Sequence, residues 1–222
     1  MRLRLLLRLF ALFLASLALS GCRESWSWNE KLTVTVETLQ GEKSASSVIR
    51  HILVHRNGWY ELPQSRGAGS GYLGEAVVLE VMPGRYLFAL LPGVRNPYWL
   101  FFPGADPVEV GRQFETLRDT RIVPPDQYPR LVTFDDIANP MSVRQVDPAN
   151  LAASFGPGVR LKSMQLEITG EPVTRGSVER VLPQTFFSEW GRIHKEAVAR
   201  GIDDNYFKSI LRNISRSDFQ RK

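Results

Sequence analysis

The stretch that decides the fold is Val77-Val78-Leu79-Glu80-Val81-Met82-Pro83-Gly84-Arg85-Tyr86-Leu87-Phe88-Ala89-Leu90-Leu91. Two short runs flank Pro83-Gly84, which has the order of a type II turn with Pro second and Gly third. Each run is apolar at both odd and even positions. Successive side chains of a strand point to opposite faces, so Val77–Met82 and Arg85–Leu91 predict a central antiparallel hairpin covered on both sides.

Working towards the N-terminus, Leu32, Val34 and Val36 alternate with Thr33, Thr35 and Glu37, as in a strand with one buried and one wet face. Gln40-Gly41-Glu42 breaks that run, and Val48–His55 reads as a second strand. Gly67-Ala68-Gly69-Ser70-Gly71 reads as a mobile hairpin loop after Trp59-Tyr60. Its glycines match a phosphate-binding loop in composition only, because no helix pattern follows. Towards the C-terminus, Val108–Gln127 has scattered apolar positions, and Leu131–Phe134 suits a short strand. Asp147-Pro148 has the order of an N-cap and first helical residue, with the helix ended by Gly156-Pro157-Gly158. Val159–Ile168 alternates as a strand, and Ser177–Leu182 suits a returning strand after Gly170-Glu171-Pro172. Phe186, Trp190, Ile193 and Ala197 recur at helical spacing, and a second short helix is expected over Asn205–Asn213. Short strands punctuated by Gly and Pro predict a mainly β protein: an antiparallel sandwich or small barrel, with short helices in the C-terminal part.

The N-terminus addresses location. Arg2, Arg4 and Arg8 precede an uncharged run, Leu9–Leu19. Eleven helical residues rise about 16 Å against a hydrocarbon core of about 30 Å, a length suited to a signal peptide and short for a membrane span. Leu19-Ser20-Gly21-Cys22 follows, containing the chain's single cysteine. An exported protein using thiols to hold its fold would carry a second one. These four residues resemble the lipobox of bacterial lipoproteins. The resemblance implies a diacylglycerol thioether on the Cys22 sulfur, cleavage before Cys22, and usually acylation of the new amine, with palmitate the expected acyl chain. It gives a signal peptide at 1–21, a lipidated stalk at 22–31 and a single β-rich domain at 32–222 with a C-terminal helical segment. Trp26 and Trp28 would lie in the stalk, placed either among lipid headgroups or against the domain. Arg23, rather than Asp, after the cysteine favours the outer membrane over the inner by the same resemblance, with the body facing the periplasm.

Cleavage also corrects the charge. The whole chain has 28 basic and 23 acidic residues; without Arg2, Arg4 and Arg8, 25 basic face 23 acidic, a net +2. That balance and export through the membrane both argue against a nucleic-acid partner. The expected partners are the bilayer, through the acylated N-terminus, and an envelope protein or glycan. Glu80–Tyr86, Val132–Asp136, Asn150–Val159 and Glu171–Thr174 resemble a family of uncharacterised proteobacterial proteins, which implies a shared fold and carries no activity, cofactor or catalytic residue.

No catalytic residue, metal ligand or cofactor is assigned. His51 and His55 lie in a β-like run, where four residues span about 13 Å, too far for one ion to join them directly. His194 stands alone. Asp135-Asp136 and Asp203-Asp204 are adjacent pairs suited to turns and caps; in a strand, neighbours point to opposite faces. The strongest binding candidate is Asn96-Pro97-Tyr98-Trp99-Leu100-Phe101-Phe102-Pro103-Gly104. Tyr98–Phe102 reads as a short aromatic strand or an exposed loop; as a strand it would put Trp99 and Phe101 on one face and Tyr98, Leu100 and Phe102 on the other, with Tyr98, Trp99 and Phe101 the candidate partner contacts. Two functional readings result. One is a noncatalytic envelope lipoprotein that binds or scaffolds another component; the other is a lipid-anchored hydrolase using dispersed carboxylates.

Overall fold

The computed structural model describes residues 23–56, 67–200 and 214–222. Residues 1–21, where a signal peptide is expected, Cys22, Trp59-Tyr60, Asp203-Asp204 and the helix expected over 205–213 lie outside the described residues. The body is a mainly β sandwich of two antiparallel sheets, with helices covering the outer face of one of them.

The first sheet grows from one long hairpin. Strands β1 (Arg23–Thr38) and β2 (Gly41–Arg56) pair along their full length, from Arg23 opposite Arg56 to Thr38 opposite Gly41. The two-residue turn Leu39-Gln40 is held by the Thr38 hydroxyl, which donates to the Gly41 carbonyl and accepts from the Gln40 amide. The 22–31 stalk is therefore corrected: residues 23–31 are the first half of β1. Trp26 and Trp28 are in phase with Leu32, Val34 and Val36, and all five are buried in the sandwich core. That phase decides their place, because the apolar alternation of residues 32–36 extends backwards through both indoles.

Around this hairpin lie β3 (Gly67–Glu75), β4 (Val77–Met82), β5 (Arg85–Ala89), β6 (Thr120–Ile122), β7 (Leu131–Phe134), β8 (Val143–Gln145), β9 (Arg160–Thr169) and β10 (Gln220–Arg221). The six-stranded sheet runs β10-β3-β2-β1-β9-β6, and the four-stranded sheet runs β4-β5-β7-β8. The glycine-rich 67–71 segment is a strand rather than a loop, with Gly69 opposite Val54 and Ser70 opposite Leu53. Along β9, Met164, Leu166 and Ile168 face the core as their alternation requires.

The Pro83-Gly84 hairpin forms as expected, with Val77 opposite Ala89 and Gly84 at φ 72°. Its two-sided apolar pattern has a direct cause. Val77, Leu79, Val81, Leu87 and Ala89 face the six-stranded sheet. Phe88, with Leu90 beyond the strand end, faces a second core that includes Phe134, Phe186, Trp190 and Phe219. One feature differs from expectation: β5 is interior, but β4 is the sheet's edge strand, so its burial comes from covered faces and not from two strand neighbours.

The helices are α1 (Pro97–Phe101), α2 (Pro107–Thr116), α3 (Ala152–Phe155), α4 (Ser177–Val181), α5 (Gln184–Arg200) and α6 (Arg216–Phe219). Asp106 caps α2 by accepting the Val108 amide at 2.8 Å, and Pro107 opens it. Gly111 lets this helix lie on the sheet, since a Cβ there would come within 2.7 Å of the Trp26 ring. Asp147 caps no helix: its side chain accepts the Ala149 amide in a turn, and α3 begins only at Ala152. Gly156, at φ 98°, ends α3.

Residues 177–182, expected as a strand, instead contain α4. The cause is a distant carboxylate. Buried Glu75 accepts the amides of Gly176, Ser177 and Val178 at 2.6, 2.8 and 3.2 Å, satisfying the start of the helix from across the fold. α5 is helical as its spacing predicts and buries Phe186, Phe187 and Trp190.

Candidate functional site

The aromatic segment is a single helical turn, not a strand. Pro97 opens α1, and its fixed φ suits the first helical position. Helical geometry advances about 100° per residue, so Trp99 and Phe101 no longer share a face. Pro97 and Phe101 point inwards, Phe101 being 8% exposed, while Trp99 points outwards at 53% exposed. Phe101 is thereby removed as an accessible partner contact, and Trp99 keeps that geometry.

Phe114 of α2 fixes the turn in place. Its ring meets Phe101 at 5.8 Å, Phe102 at 5.3 Å and Tyr98 at 5.8 Å, all edge-on, and stacks on Trp28 at 4.6 Å. Such edge-on packing places the positive rim of one ring on the negative face of another.

Beneath Tyr98 lies a chain of polar groups. The Tyr98 hydroxyl is 2.7 Å from His51 Nε2. His51 Nδ1 is 3.3 Å from Glu30 Oε1, and the Trp28 indole N–H donates to the same oxygen at 2.7 Å. The His51 ring stacks on Trp28 at 4.8 Å, only 5° from parallel. With Nδ1–H directed at Glu30, Nε2 accepts the phenolic proton, so one tautomer satisfies both contacts. Glu30 is 1% exposed and His51 is buried. Burial raises the Tyr98 pKa, and the nearby Glu30 charge raises it further, so the phenol stays protonated as a donor.

A carboxylate, an imidazole and a hydroxyl in line are the components of acid–base catalysis. Here they face inwards. The cavity beside Glu30 has a volume of about 10 Å³, room for one water at most. The hydroxyl is spent on His51, and the ring above it is wedged against Trp28 and Phe114. What the cluster does is fasten α1 to β1 and β2.

The other candidate residues are dispersed. His55 Nδ1 lies 3.9 Å from Glu24 Oε2, away from the His51 cluster. Among the described residues no group of three or more His, Cys, Asp or Glu could hold a metal ion. Asp135 pairs with Arg144 at 2.5 Å, and Asp136 accepts the Ala138 amide in a turn. Glu30 and Glu75 carried no role in the sequence reading. The signal for Glu30 was present: it occupies the inward phase of β1, between Trp28 and Leu32. An acid in an apolar phase needs a buried donor.

Comparison with family models, curated proteins and solved structures finds no match.

Proposed function

We propose that this chain is a lipoprotein of the bacterial cell envelope, acylated at Cys22, which binds or scaffolds an envelope protein rather than catalysing a reaction. The observation that carries the reading is Trp99: a large ring held outwards on a turn whose other side chains are fastened to the core. A rigid aromatic offers contact area at small entropic cost, and interface hot spots are enriched in tryptophan. The hydrolase alternative draws less support, because the ionisable groups that do converge are closed off beneath Tyr98.

The start of β1 at Arg23 adds a geometric consequence. A lipid on Cys22 has no stalk to hang from, so the sheet end with Arg23, Arg56 and Gly67 would rest on the bilayer. His51, which holds α1, is five residues from Arg56, or about 16 Å up a standing strand. A headgroup layer is only about 5–8 Å deep. Trp99 then meets a neighbouring envelope component and not its own membrane.

Two measurements test this. Mass spectrometry of the chain isolated from membranes is expected to find an acylated Cys22 as the first residue; an unmodified terminus elsewhere sinks the lipoprotein reading. A photo-reactive amino acid at position 99, irradiated in intact envelopes, is expected to give a discrete protein adduct. An absence of adducts would remove the proposed contact.

A further inference from the structure

We infer that the cleft between β2, β3 and the 172–176 segment is a binding site for a soluble small molecule bearing phosphate groups, assembled by Arg50, Arg175 and Arg221. The cleft has a volume of about 620 Å³, within the usual range for small-molecule sites. Four cations line it: these three arginines and Lys222.

Its two side-chain carboxylates, Glu75 and Glu179, are already engaged. Glu75 spends both oxygens on the amides of residues 176–178. Glu179 accepts from Lys222 at 2.7 Å, and that contact holds its pKa below the usual carboxylate range. Among the described residues the arginines have no such partner. Arg50 donates Nε to the neutral Asn29 Oδ1 at 3.2 Å. Arg221 lies over the Tyr72 ring at 4.6 Å, a contact that orients the guanidinium without neutralising it. Arg175 is exposed. None of the three forms an ion pair with a carboxylate among the described residues. Guanidinium forks bind phosphate oxygens in pairs, and three surplus forks around one cleft leave positive charge that an anion would complete.

The cleft is built on fixed backbone. The 172–176 segment is tied to β2 where β3 no longer pairs with it: the Thr174 amide donates to the Val48 carbonyl, and the Val48 amide donates to the Thr174 hydroxyl. Gly74, at φ 138°, sits so close to Ile49 that a Cβ would approach within 2.9 Å. The walls carrying Arg50, Arg175 and Arg221 are thus joined.

Phosphate could come from solution or from a lipid headgroup. Arg50 is six residues from Arg56, about 20 Å from the sheet end that would carry the anchor. That distance favours solution; this choice of source alone rests on the lipoprotein reading.

The test is calorimetric titration of inorganic pyrophosphate into the full chain reconstituted in phosphatidylcholine vesicles. Saturable one-to-one binding is expected, weakened about tenfold or more by Arg175→Gln and by Arg50→Gln. Arg160→Gln removes equal charge at the far end of the sheet, where Arg160 pairs with Glu37, and is expected to leave affinity within twofold. Circular dichroism of each variant guards against misfolding. Lack of saturation, or equal weakening by Arg160→Gln, overturns the site. Loss of pyrophosphate binding when a fifth of the lipid is phosphatidylglycerol overturns the soluble source. Mass spectrometry of the N-terminus in the same preparation separates those failures from failure of the anchored reading.

Discussion

Residues 77–91 and residues 97–102 look alike in sequence, and they fold differently. Both carry apolar side chains at odd and even positions alike and are punctuated by Pro and Gly, although the first also holds Glu80 and Arg85. The first makes β4 and β5, apolar on both faces because a second sheet lies on one side and aromatic helices on the other. The second makes one helical turn, with one side in the core and Trp99 in solvent. The difference lies in branching and in the position of proline. The first run has Val77, Val78 and Val81, whose branched Cβ favours the pleated surface. The run Tyr98-Trp99-Leu100-Phe101-Phe102 has no β-branched residue, and Pro97 stands where a helix starts. A short run without period does not distinguish strand from helix; branching and flanking residues have to decide.

The largest expected effect lies in the first region. Phe88 is fully buried and meets Phe134 and Phe219 edge-on at 5.6 Å each. Phe88→Ala is expected to cost about 3–5 kcal/mol, read from urea unfolding. A loss below 1 kcal/mol would mean that the second face of β5 is not a real core, and the contrast between the regions would collapse.

Next comes the carboxylate that makes a helix of residues 177–181. Glu75→Ala strips three amides of their acceptor in a buried place. A cost of about 2–3 kcal/mol is expected, with faster hydrogen exchange at Ser177 and Val178. Unchanged exchange there would show that α4 does not depend on Glu75.

Much of the sheet framework was legible in the sequence. Alternation in 32–36 and 159–168, and the Pro83-Gly84 turn, located strands because each depends on neighbours within a few residues. The start of α2 has a local signal too, Asp106-Pro107 followed by Val110 and Phe114 four apart, but the scattered apolar positions around it blur the helical period. The form of residues 177–182 was not legible, because it depends on a carboxylate about a hundred positions away. The Glu30–His51–Tyr98 chain was half legible: an acid in the inward phase of β1 predicts a buried partner, but pairing with His51 needs the β1–β2 register, and Tyr98 needs α1 to be a helix.

Tyr98 supplies the next test. Tyr98→Phe keeps the ring packing and leaves His51 Nε2 without its donor, at an expected cost of about 1–2 kcal/mol near pH 8. The pH dependence has a definite sign. The folded phenol holds its proton more tightly than the unfolded one, whose pKa is about 10. The stabilising contribution of neutral Tyr98 is therefore intact below about pH 10 and falls as pH rises from there towards the folded value. Between pH 8 and 11 the wild type should lose more stability than Tyr98→Phe. Parallel losses would show that Tyr98 is not held neutral by its surroundings.

The smallest effect on stability should come from the residue given the functional role. Trp99 is more than half exposed, and its turn is held by Pro97, Tyr98 and Phe101. Trp99→Ala is expected to change unfolding free energy by no more than about 0.5 kcal/mol. A helical turn needing only to cap the sandwich could carry a polar residue at this position. If Trp99 anchors an envelope partner, truncation should weaken capture roughly thirty-fold or more, as for a central interface aromatic worth about 2 kcal/mol. Stability and capture should thus respond in opposite order across the two regions: Phe88→Ala destabilises the fold, while Trp99→Ala spares it and loses the partner. Capture at wild-type strength by folded Trp99→Ala would rule out Trp99 as the anchor. A stability loss above 1 kcal/mol would show that the indole packs on the domain, and the second region would then be core like the first.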